Sequence, residues 1–371
     1  MATLANLYDG SMLPAVEVQT LSHCDKLLPS APVHKSASPR ALPSAGKPFP
    51  AIRFEDRGRA FDLYDYLAVN RVAGLLVLKN GQVAFEDYEL GAGPDTHWCS
   101  FSVAKSVAST LAGAAVKDGA IASLDDPVTR YVPGLQGSAY DGVSVRTLLM
   151  MASGVQWDET YTNPNSDRRR LLDAQATLKP GTIVEFMSKL PRAVPAGTRW
   201  NYSTGESFLI GAVVEGATHK RLADYLTEKI WRPAGMESDA TWWEESPGGM
   251  TLSGSGLSAT LRDYARFGQY VLEGGKSMVP SGWFDEAGAP HKMGDAMVNY
   301  GYFWWVPPQD DSIHASAFRA QGIFGQFVYI NPKQHLVIAV LSARSKPGSA
   351  DRFEISDYSF FAAVARALQD W

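Results

Sequence analysis

The stretch Ser102-Val103-Ala104-Lys105 constrains this chain more than any other feature of its sequence. It leads into Ser106–Val116, a run of small and apolar residues that predicts a helix packed closely inside a large core. A serine and a lysine three positions apart lie on the same face of a helix, one turn from each other. Because the lysine amine can then take the serine proton without a histidine, the pattern indicates a serine hydrolase whose nucleophile is Ser102.

The same spacing occurs at Ser44-Ala45-Gly46-Lys47, where the surroundings argue against a helix. Roughly one such match is expected by chance in a chain of this length, so the spacing alone decides nothing. Three prolines between positions 43 and 50 and a glycine inside the second copy prevent a helix from holding that pair on one face. At Ser102, helix-compatible residues continue to the Asp118-Gly119 turn. One alternative stays open there: a helix N-cap beside a solvated Lys105.

Composition sets the outer limits of the interpretation. The chain has 371 residues, 45% of them hydrophobic and 20% charged, which is typical of a globular protein large enough for two lobes. A net charge of −5 argues against nucleic acid as the main partner, and we expect Arg168-Arg169-Arg170 to form a solvated helix face.

No apolar run approaches the roughly 18 residues of a membrane span, and residues 1–20 do not resemble a signal peptide, so we expect a cytoplasmic protein. Cys24 and Cys99 are too few for a disulfide framework or a structural zinc site.

Periodicity and turn signals divide the chain into three parts. Residues 1–50 are rich in proline and serine and predict an extended N-terminal arm. Residues 51–125 and 251–371 carry strand patterns and predict an α/β domain, whereas residues 126–250 predict a mostly helical domain. Strands at both ends of the sequence indicate one sheet built from the N- and C-terminal parts, with a helical lobe inserted between them.

The individual elements are predicted from the same signals. Leu75–Lys79 and Val83–Leu90, joined by Asn80-Gly81, predict a β-hairpin with a two-residue turn. Further strands are expected at Tyr302–Val306, Gly325–Asn331 and Leu336–Ser342. Helices are expected at Phe61–Ala73, Val145–Met151, Phe208–Ala217, Leu222–Trp231 and Tyr358–Leu368.

A serine and lysine pair needs a third group to carry a proton to the leaving group, and Tyr202 is the strongest candidate. It lies between the Pro195-Ala196-Gly197 turn and an apolar helix that begins near Phe208, so it is expected to project from a loop between lobes. Beside a lysine ammonium its pKa is expected to fall, which would make the phenolate a usable general base. Simple core packing of this tyrosine remains the alternative.

The segment Gly322–Gln326 is the candidate for stabilising an oxyanion. Two glycines flank an apolar pair at the start of a predicted strand, and such glycines often mark a close approach of the backbone to a ligand. Unpaired N–H groups at a strand edge would suit a developing negative charge. The alternative is the beginning of a hairpin or a β-bulge.

Other catalytic motifs are missing from the sequence. No serine lies in a Gly-x-Ser-x-Gly nucleophile elbow, and the seven histidines are scattered without metal-ligand spacing. There is no dinucleotide-binding or phosphate-binding glycine loop. Asp125-Asp126 is better explained as the start of a turn than as an acid–base pair. We therefore expect no metal and no nucleotide cofactor.

Three separated motifs resemble, in order and spacing, the serine β-lactamase and penicillin-binding-protein superfamily and its class C-like esterase and amidase branch: Ser102-x-x-Lys105, Tyr202-Ser203-Thr204 and Gly322–Gln326. The resemblance covers roughly residues 55–370 and includes the connecting segments Asp126–Pro133, Leu148–Gly154, Pro195–Trp200 and Ser258–Gly268. Within that branch the chain is similar to the nylon-oligomer amidases, which share Tyr140–Gly142, Tyr161, Asn163-Pro164 and Trp304-Trp305. The implied fold is α/β (α+β) and β-lactamase-like, with an antiparallel sheet flanked by helices.

The resemblance also implies roles for individual residues. Ser102 would be the nucleophile, Lys105 its activating partner and Tyr202 the general acid/base that protonates the leaving amine. The oxyanion hole would consist of the backbone N–H groups of Ser102 and Ile323. Four substrate-binding positions are implied: Tyr161 on a loop that closes over the substrate, Trp305 in the cleft wall, Gly322 and Phe324.

Two departures from the family pattern bear on the substrate. β-Lactamases usually have an asparagine two residues after the tyrosine and a Lys-Thr-Gly on the closing strand, where this chain has Thr204 and Ile323-Phe324-Gly325. The cation and hydroxyl that hold a β-lactam carboxylate are therefore missing, and we expect poor antibiotic hydrolysis. Phe324 also replaces a histidine of the nylon-oligomer enzymes, and the loop at 155–180 diverges, which leaves the particular amide open.

We therefore expect a serine amidase or carboxylesterase that cleaves linear amides of the 6-aminohexanoate-dimer type, short-chain esters, or both, without a cofactor. Its partner would be a small-molecule amide or ester, not nucleic acid or a membrane, and a homodimer stays open. Three alternatives remain: a carboxylesterase with little amidase activity, a D-amino-acid peptidase, and a catalytically silent binding module.

Overall fold

The computed structural model describes residues 3–348 and 353–371 of the chain. Its largest sheet has seven strands, each antiparallel to its neighbours, and it combines strands from both ends of the sequence. We call it the central sheet. In spatial order its strands are Tyr300–Gly301, Trp304–Trp305, Phe318–Gly322, Gln326–Asn331, Leu336–Ser342, Val72–Lys79 and Gln82–Tyr88. The predicted fold class, an antiparallel α/β (α+β) arrangement with the sheet built from the N- and C-terminal parts, is confirmed.

The middle of the central sheet is buried on both faces. Every residue of Val72–Lys79 and of Leu336–Ser342 is buried, which explains why both segments are almost continuously apolar. Along the second strand, Ile338 and Val340 belong to one core, and the alternate residue Ala339 belongs to the other. Helices Leu63–Val69 and Asp357–Ala367 pack in the first of these cores, and Leu261–Leu272 packs in the second.

The hairpin at the edge of the central sheet follows from its turn residues. Asn80 and Gly81 have φ values of +52° and +75°, as a type I′ turn requires. The two strands run from Val72 to Lys79 and from Gln82 to Tyr88, so the predicted hairpin is confirmed.

A second sheet has four strands, and its strand His97–Cys99 lies directly before the Ser102 turn. Its order is Ser30–Val33, Ala240–Trp243, Leu257–Thr260 and His97–Cys99. The last of these strands ends three residues before Ser102, and the Ser100 N–H donates to the Leu257 carbonyl at 2.7 Å. Pairing with a strand from the C-terminal half therefore fixes where Ser102 lies.

The helix that follows, Val103–Lys117, is called the Ser102 helix here; all but its last two residues are buried. Small side chains allow this burial: a Cβ at Gly113 would lie 2.7 Å from the Trp283 ring. Other helices span Val145–Leu149, Asp167–Gln175, Thr182–Ser188, Thr204–Thr218, Leu222–Leu226 and Trp283–Ala287. The helix Leu222–Leu226 continues as one π-helical turn, Thr227–Trp231, and then as the short helix Arg232–Ala234. The region 126–250 is thus largely helical, and the predicted domain boundaries stay a prediction. Within the two described ranges, no helix combines the length and apolar character needed to cross a bilayer.

The prediction of an extended arm over residues 1–50 is wrong for its first part. Helices Leu4–Tyr8 and Pro14–Leu21 occur there, and the strand Ser30–Val33 pairs with Ala240–Trp243. Thr3 caps the first helix in a capping box, and Pro14 occupies the first position of the second, where its missing N–H has no cost. Both signals are short, and the proline and serine content of the segment obscured them.

The prediction of a solvated arginine face is also wrong, because two of the three arginines are buried. Arg168 is 2% exposed and Arg169 is 8% exposed. Arg168 donates to the Tyr8 hydroxyl at 2.8 Å, and Arg169 forms an ion pair with Asp9 at 2.6 Å. The N-terminal helices cover this side of helix Asp167–Gln175, and the local sequence alone contains no sign of that contact.

Candidate active site

Ser102 sits at the end of a strained turn. Phe101, the residue before it, has a φ of +42°, a left-handed conformation that is rare for a bulky side chain. The Phe101 ring packs edge-on against Phe324 at 4.8 Å and against Trp243 at 6.3 Å between centroids, which holds the turn in place. Ser102 is the N-cap of the Ser102 helix and is 8% exposed. Ser102 is therefore largely shielded from solvent.

Lys105 lies one helical turn from Ser102, as its spacing predicts. Its Nζ is 2.9 Å from the Ser102 hydroxyl, 3.1 Å from the Thr204 hydroxyl and 2.8 Å from the Gly254 carbonyl oxygen. The side chain is 1% exposed. Burial lowers the pKa of the Lys105 amine to about 7, an effect that the nearby Glu159 carboxylate partly opposes. Above pH 7 the amine is therefore mostly neutral and can accept a proton.

Tyr202 lies on the other side of the same pair. The Lys105 Nζ is 5.2 Å from the centre of its ring, and the nearby Ser102 hydroxyl slightly favours the phenolate form. Burial, with the charge of Glu159 as the next cause, raises the pKa of Tyr202 well above its usual value near 10. The predicted fall in this pKa is wrong, because burial penalises the phenolate more than any nearby positive charge favours it. Tyr202 can therefore donate a proton more readily than it can accept one.

The strand that ends at Gly322 approaches the Ser102 turn closely. A Cβ at Gly322 would lie 2.6 Å from the Ser100 carbonyl oxygen and 2.5 Å from Gln326 Oε1, so only glycine fits. Among the hydrogen bonds of the described residues, the N–H groups of Ser102 and of Ile323 donate to no backbone carbonyl. Both remain available to a substrate oxygen, the arrangement that an oxyanion hole requires.

Gly322→Ala is expected to reduce kcat for esters and amides by about tenfold or more, because the new methyl group must displace backbone next to both Ser100 and Ile323. The measurement is kcat with p-nitrophenyl acetate, together with the melting temperature. Gly93→Ala is the matched control: a Cβ there would meet nothing within 4 Å. A kcat for Gly322→Ala equal to that of the control would contradict the close approach.

Aromatic side chains pack against Tyr202. The Trp305 ring stacks on Tyr202 at 5.5 Å and meets Trp200 at 5.9 Å, and all three rings are half-buried. Tyr161 packs at 5.3 Å from Tyr8, and its carbonyl accepts a hydrogen bond from Arg169 at 2.9 Å. Trp305 therefore lies beside Tyr202. Tyr161 lies on a segment that contacts the N-terminal helix Leu4–Tyr8. The substrate contacts of both residues stay predictions.

The Phe324 side chain does not reach the protein surface. It is fully buried, at 0% exposure, against Phe101. We therefore correct its assignment from substrate binding to support of the turn that presents Ser102. Gly322 is also buried, and its contribution is the close backbone approach described above.

Two groups at the site escaped the sequence analysis. Glu159 accepts hydrogen bonds from the Thr204 N–H at 2.8 Å, from the Thr204 hydroxyl and from the Trp157 indole N–H. The Gly254 carbonyl oxygen accepts from Lys105. A single glutamate in a loop and a backbone carbonyl carry no spacing signal, so sequence patterns could not have found them.

Comparisons with known proteins agree with this fold. Residues 67–357 match the family model described as Beta-lactamase. The 6-aminohexanoate-dimer hydrolase of Paenarthrobacter ureafaciens is 29% identical over 343 residues, which cover 87% of this chain and 84% of that protein. A Bacillus anthracis structure, provisionally described as a 6-aminohexanoate-dimer hydrolase, superposes with a TM-score of 0.83 at 23% identity and covers 99% of this chain and 97% of its own. EstCE1, described as a hydrolase with promiscuous acyltransferase activity, shares the fold with a TM-score of 0.64 at 15% identity over 82% of this chain and 96% of its own.

Proposed function

We propose that this chain, which belongs to the beta-lactamase family, is a serine hydrolase that cleaves linear amides and short-chain esters through an acyl-enzyme on Ser102. The observation that carries the proposal is the 2.9 Å contact between the Ser102 hydroxyl and a buried lysine amine whose pKa is about 7. A neutral amine at this distance can take the serine proton as the hydroxyl attacks a carbonyl carbon.

In the acylation step, Ser102 Oγ gives its proton to Lys105 and forms a bond to the substrate carbonyl carbon. The carbonyl oxygen becomes an oxyanion, which the N–H groups of Ser102 and Ile323 can stabilise. The bond to the leaving nitrogen or oxygen then breaks, and that atom takes the Tyr202 proton. The proton held by Lys105 returns to the Tyr202 phenolate, so both groups regain their starting state.

Deacylation runs the same steps with water in place of the leaving group. Water attacks the acyl carbon, Lys105 and Tyr202 transfer its proton to Ser102 Oγ, and the carboxylic acid product departs. One bond is cleaved and one water is consumed in each cycle. The proposed steps use only these side chains, the two backbone N–H groups, the substrate and water.

Two observations favour linear amides and esters over bicyclic β-lactams. The Paenarthrobacter relative is named for hydrolysis of the 6-aminohexanoate dimer, a linear amide. The positions where β-lactamases hold a carboxylate contain Thr204 and Ile323-Phe324-Gly325 instead.

The test is a substrate panel combined with covalent labelling. The panel contains p-nitrophenyl esters of short acids, 6-aminohexanoate oligomers, D-alanyl peptides and a cephalosporin. We expect turnover of the esters and linear amides, little turnover of the D-alanyl peptides and the slowest turnover for the cephalosporin. A fluorophosphonate should label the protein, and peptide mass spectrometry should locate the adduct on Ser102.

Each alternative function has its own signature in this test. Fastest turnover of D-alanyl peptides would identify a peptidase, and activity confined to esters would identify a carboxylesterase. A folded protein that neither labels nor turns over any member of the panel would be a binding module, and the proposal would be rejected.

A further inference from the structure

We infer that Glu159 is a positioning residue that, through the Thr204 hydroxyl, aims the lone pair of the Lys105 amine at Ser102. The inference rests on the proposed function, because it concerns how the base of that reaction is oriented. It starts from the three oxygen atoms around Lys105 Nζ, which belong to Ser102, Thr204 and Gly254.

A neutral lysine amine has two N–H donors and one lone pair for these three neighbours. The Gly254 carbonyl can only accept, so it takes one N–H. Thr204 and Ser102 both carry hydroxyls, and either could donate to the lone pair or accept the second N–H. The direction of the Thr204 hydroxyl therefore decides whether the lone pair faces Ser102.

Glu159 settles that direction. A carboxylate offers only acceptors, so the Thr204 hydroxyl must donate its proton to Glu159 Oε1, 2.5 Å away. The oxygen of Thr204 then has only acceptor capacity toward Lys105, and it takes the second N–H at 3.1 Å. Ser102 is the remaining neighbour, and the lone pair faces its hydroxyl at 2.9 Å.

The carboxylate itself is held firmly. Its Oε2 accepts the Trp157 indole N–H at 2.5 Å and the Thr204 backbone N–H at 2.8 Å. Thr204 is the first residue of the helix Thr204–Thr218, where backbone N–H groups lack partners within the helix and favour a negative charge. The same contact therefore positions both Glu159 and the hydroxyl that it orients.

Glu159→Gln is the decisive change because it keeps the shape but reverses one hydrogen bond. The amide oxygen can still accept from the Trp157 indole and the Thr204 N–H, which places the amide NH₂ against the Thr204 hydroxyl oxygen. That hydroxyl must then donate elsewhere, and the Lys105 lone pair is the acceptor within reach. The base is diverted from Ser102 although every side chain stays in place.

The experiment measures the rate of fluorophosphonate labelling at Ser102 and kcat/KM for p-nitrophenyl acetate from pH 5 to 10. For Glu159→Gln we expect the high-pH plateau of both quantities to fall about tenfold or more. The fall in both quantities at low pH, called the acidic limb here, should also move to lower pH. The reason is that loss of the carboxylate charge lowers the pKa of the Lys105 amine further. A purely electrostatic role would move the limb and leave the plateau unchanged.

Two substitutions at Thr204 test the same contact independently, so the inference can be tested even if the Glu159→Gln variant does not fold. Thr204→Val removes the hydroxyl at nearly constant volume. The second N–H of Lys105 then has only the Ser102 oxygen as an acceptor, so the lone pair is no longer directed at Ser102 and the plateau should fall. Thr204→Ser restores a hydroxyl and should recover most of that loss. Both changes break the same chain of hydrogen bonds, which runs from Glu159 through the Thr204 hydroxyl to Lys105. The double variant Glu159→Gln/Thr204→Val should therefore be no slower than the slower single variant. Glu185→Gln, an exposed carboxylate paired with Lys189, is the matched control and should leave both quantities unchanged.

The outcomes separate this inference from the function on which it rests. An unchanged plateau in Glu159→Gln, no recovery in Thr204→Ser, or multiplying effects in the double variant would each overturn the positioning role while the hydrolase stands. If the wild-type protein is not labelled at Ser102 at any pH, both the inference and the proposed function are overturned.

Discussion

Ser102→Ala is expected to lower kcat by about 10⁴-fold or more for every ester and amide that the wild-type protein cleaves. The alanine variant keeps the Lys105 base and the backbone N–H groups but has no oxygen to form the acyl-enzyme. Its fold should persist, because the Ser102 side chain makes no helix-capping hydrogen bond. The measurements are steady-state kinetics on the substrate panel and the melting temperature of both proteins.

The chain offers a matched control for this prediction. Ser44 has the same spacing to Lys47 that Ser102 has to Lys105, but it is exposed and lies outside any helix. Ser44→Ala should therefore retain wild-type kinetics and wild-type labelling. If Ser102→Ala hydrolysed esters or amides as fast as Ser44→Ala, the acyl-enzyme mechanism would be wrong.

The contrast between these two serines shows what the sequence could predict. The Ser102–Lys105 contact is set by the pitch of one helix, so spacing and helix-compatible neighbours were sufficient. The hairpin at Asn80-Gly81 and the strand Leu336–Ser342 are local in the same sense, and both were predicted correctly. Features that depend on a few consecutive residues are accessible without a structure.

Features that depend on distant contacts were missed or misjudged. Arg168 and Arg169 are buried because Tyr8 and Asp9, about 160 positions earlier, cover them. Glu159 reaches the site by bonding to Thr204, 45 positions away. The direction of the Tyr202 pKa was wrong because it depends on burial, and burial is a property of the assembled fold.

The same burial shifts the pKa values of the two proposed proton-transfer groups, Lys105 and Tyr202, in opposite directions. It penalises the charged form of each, which lowers the pKa of Lys105 and raises the pKa of Tyr202. Above pH 7 both are therefore mostly neutral, one a base without its proton and the other an acid with its proton. Pairs of groups whose pKa values are shifted in this way by their surroundings are typical of acid–base catalysis. A charged pair would cost far more to bury in the same place.

Lys105→Met is expected to lower kcat/KM by about 10³-fold, because it removes the base and leaves Ser102 without a proton acceptor at 2.9 Å. Methionine follows the lysine side chain to within one atom and suits a buried position, so the Ser102 helix should form. Some loss of stability is expected, since the Thr204 hydroxyl and the Gly254 carbonyl lose a donor. Lys117→Met, at the exposed last turn of the same helix, is the matched control and should keep wild-type kinetics.

The pH profile distinguishes a base from a merely structural lysine. In the proposed mechanism the active form is the neutral Lys105 amine, so wild-type kcat/KM should fall as the pH decreases through about 7 and level off above it. Lys105→Met has no group to protonate there, and its residual activity should lack this limb and instead depend on hydroxide at high pH. A Lys105→Met protein with reduced activity but the same limb near pH 7 would assign the base to another residue. Loss of both the rate and the limb, with both retained in Lys117→Met, would leave Lys105 as the group that activates Ser102.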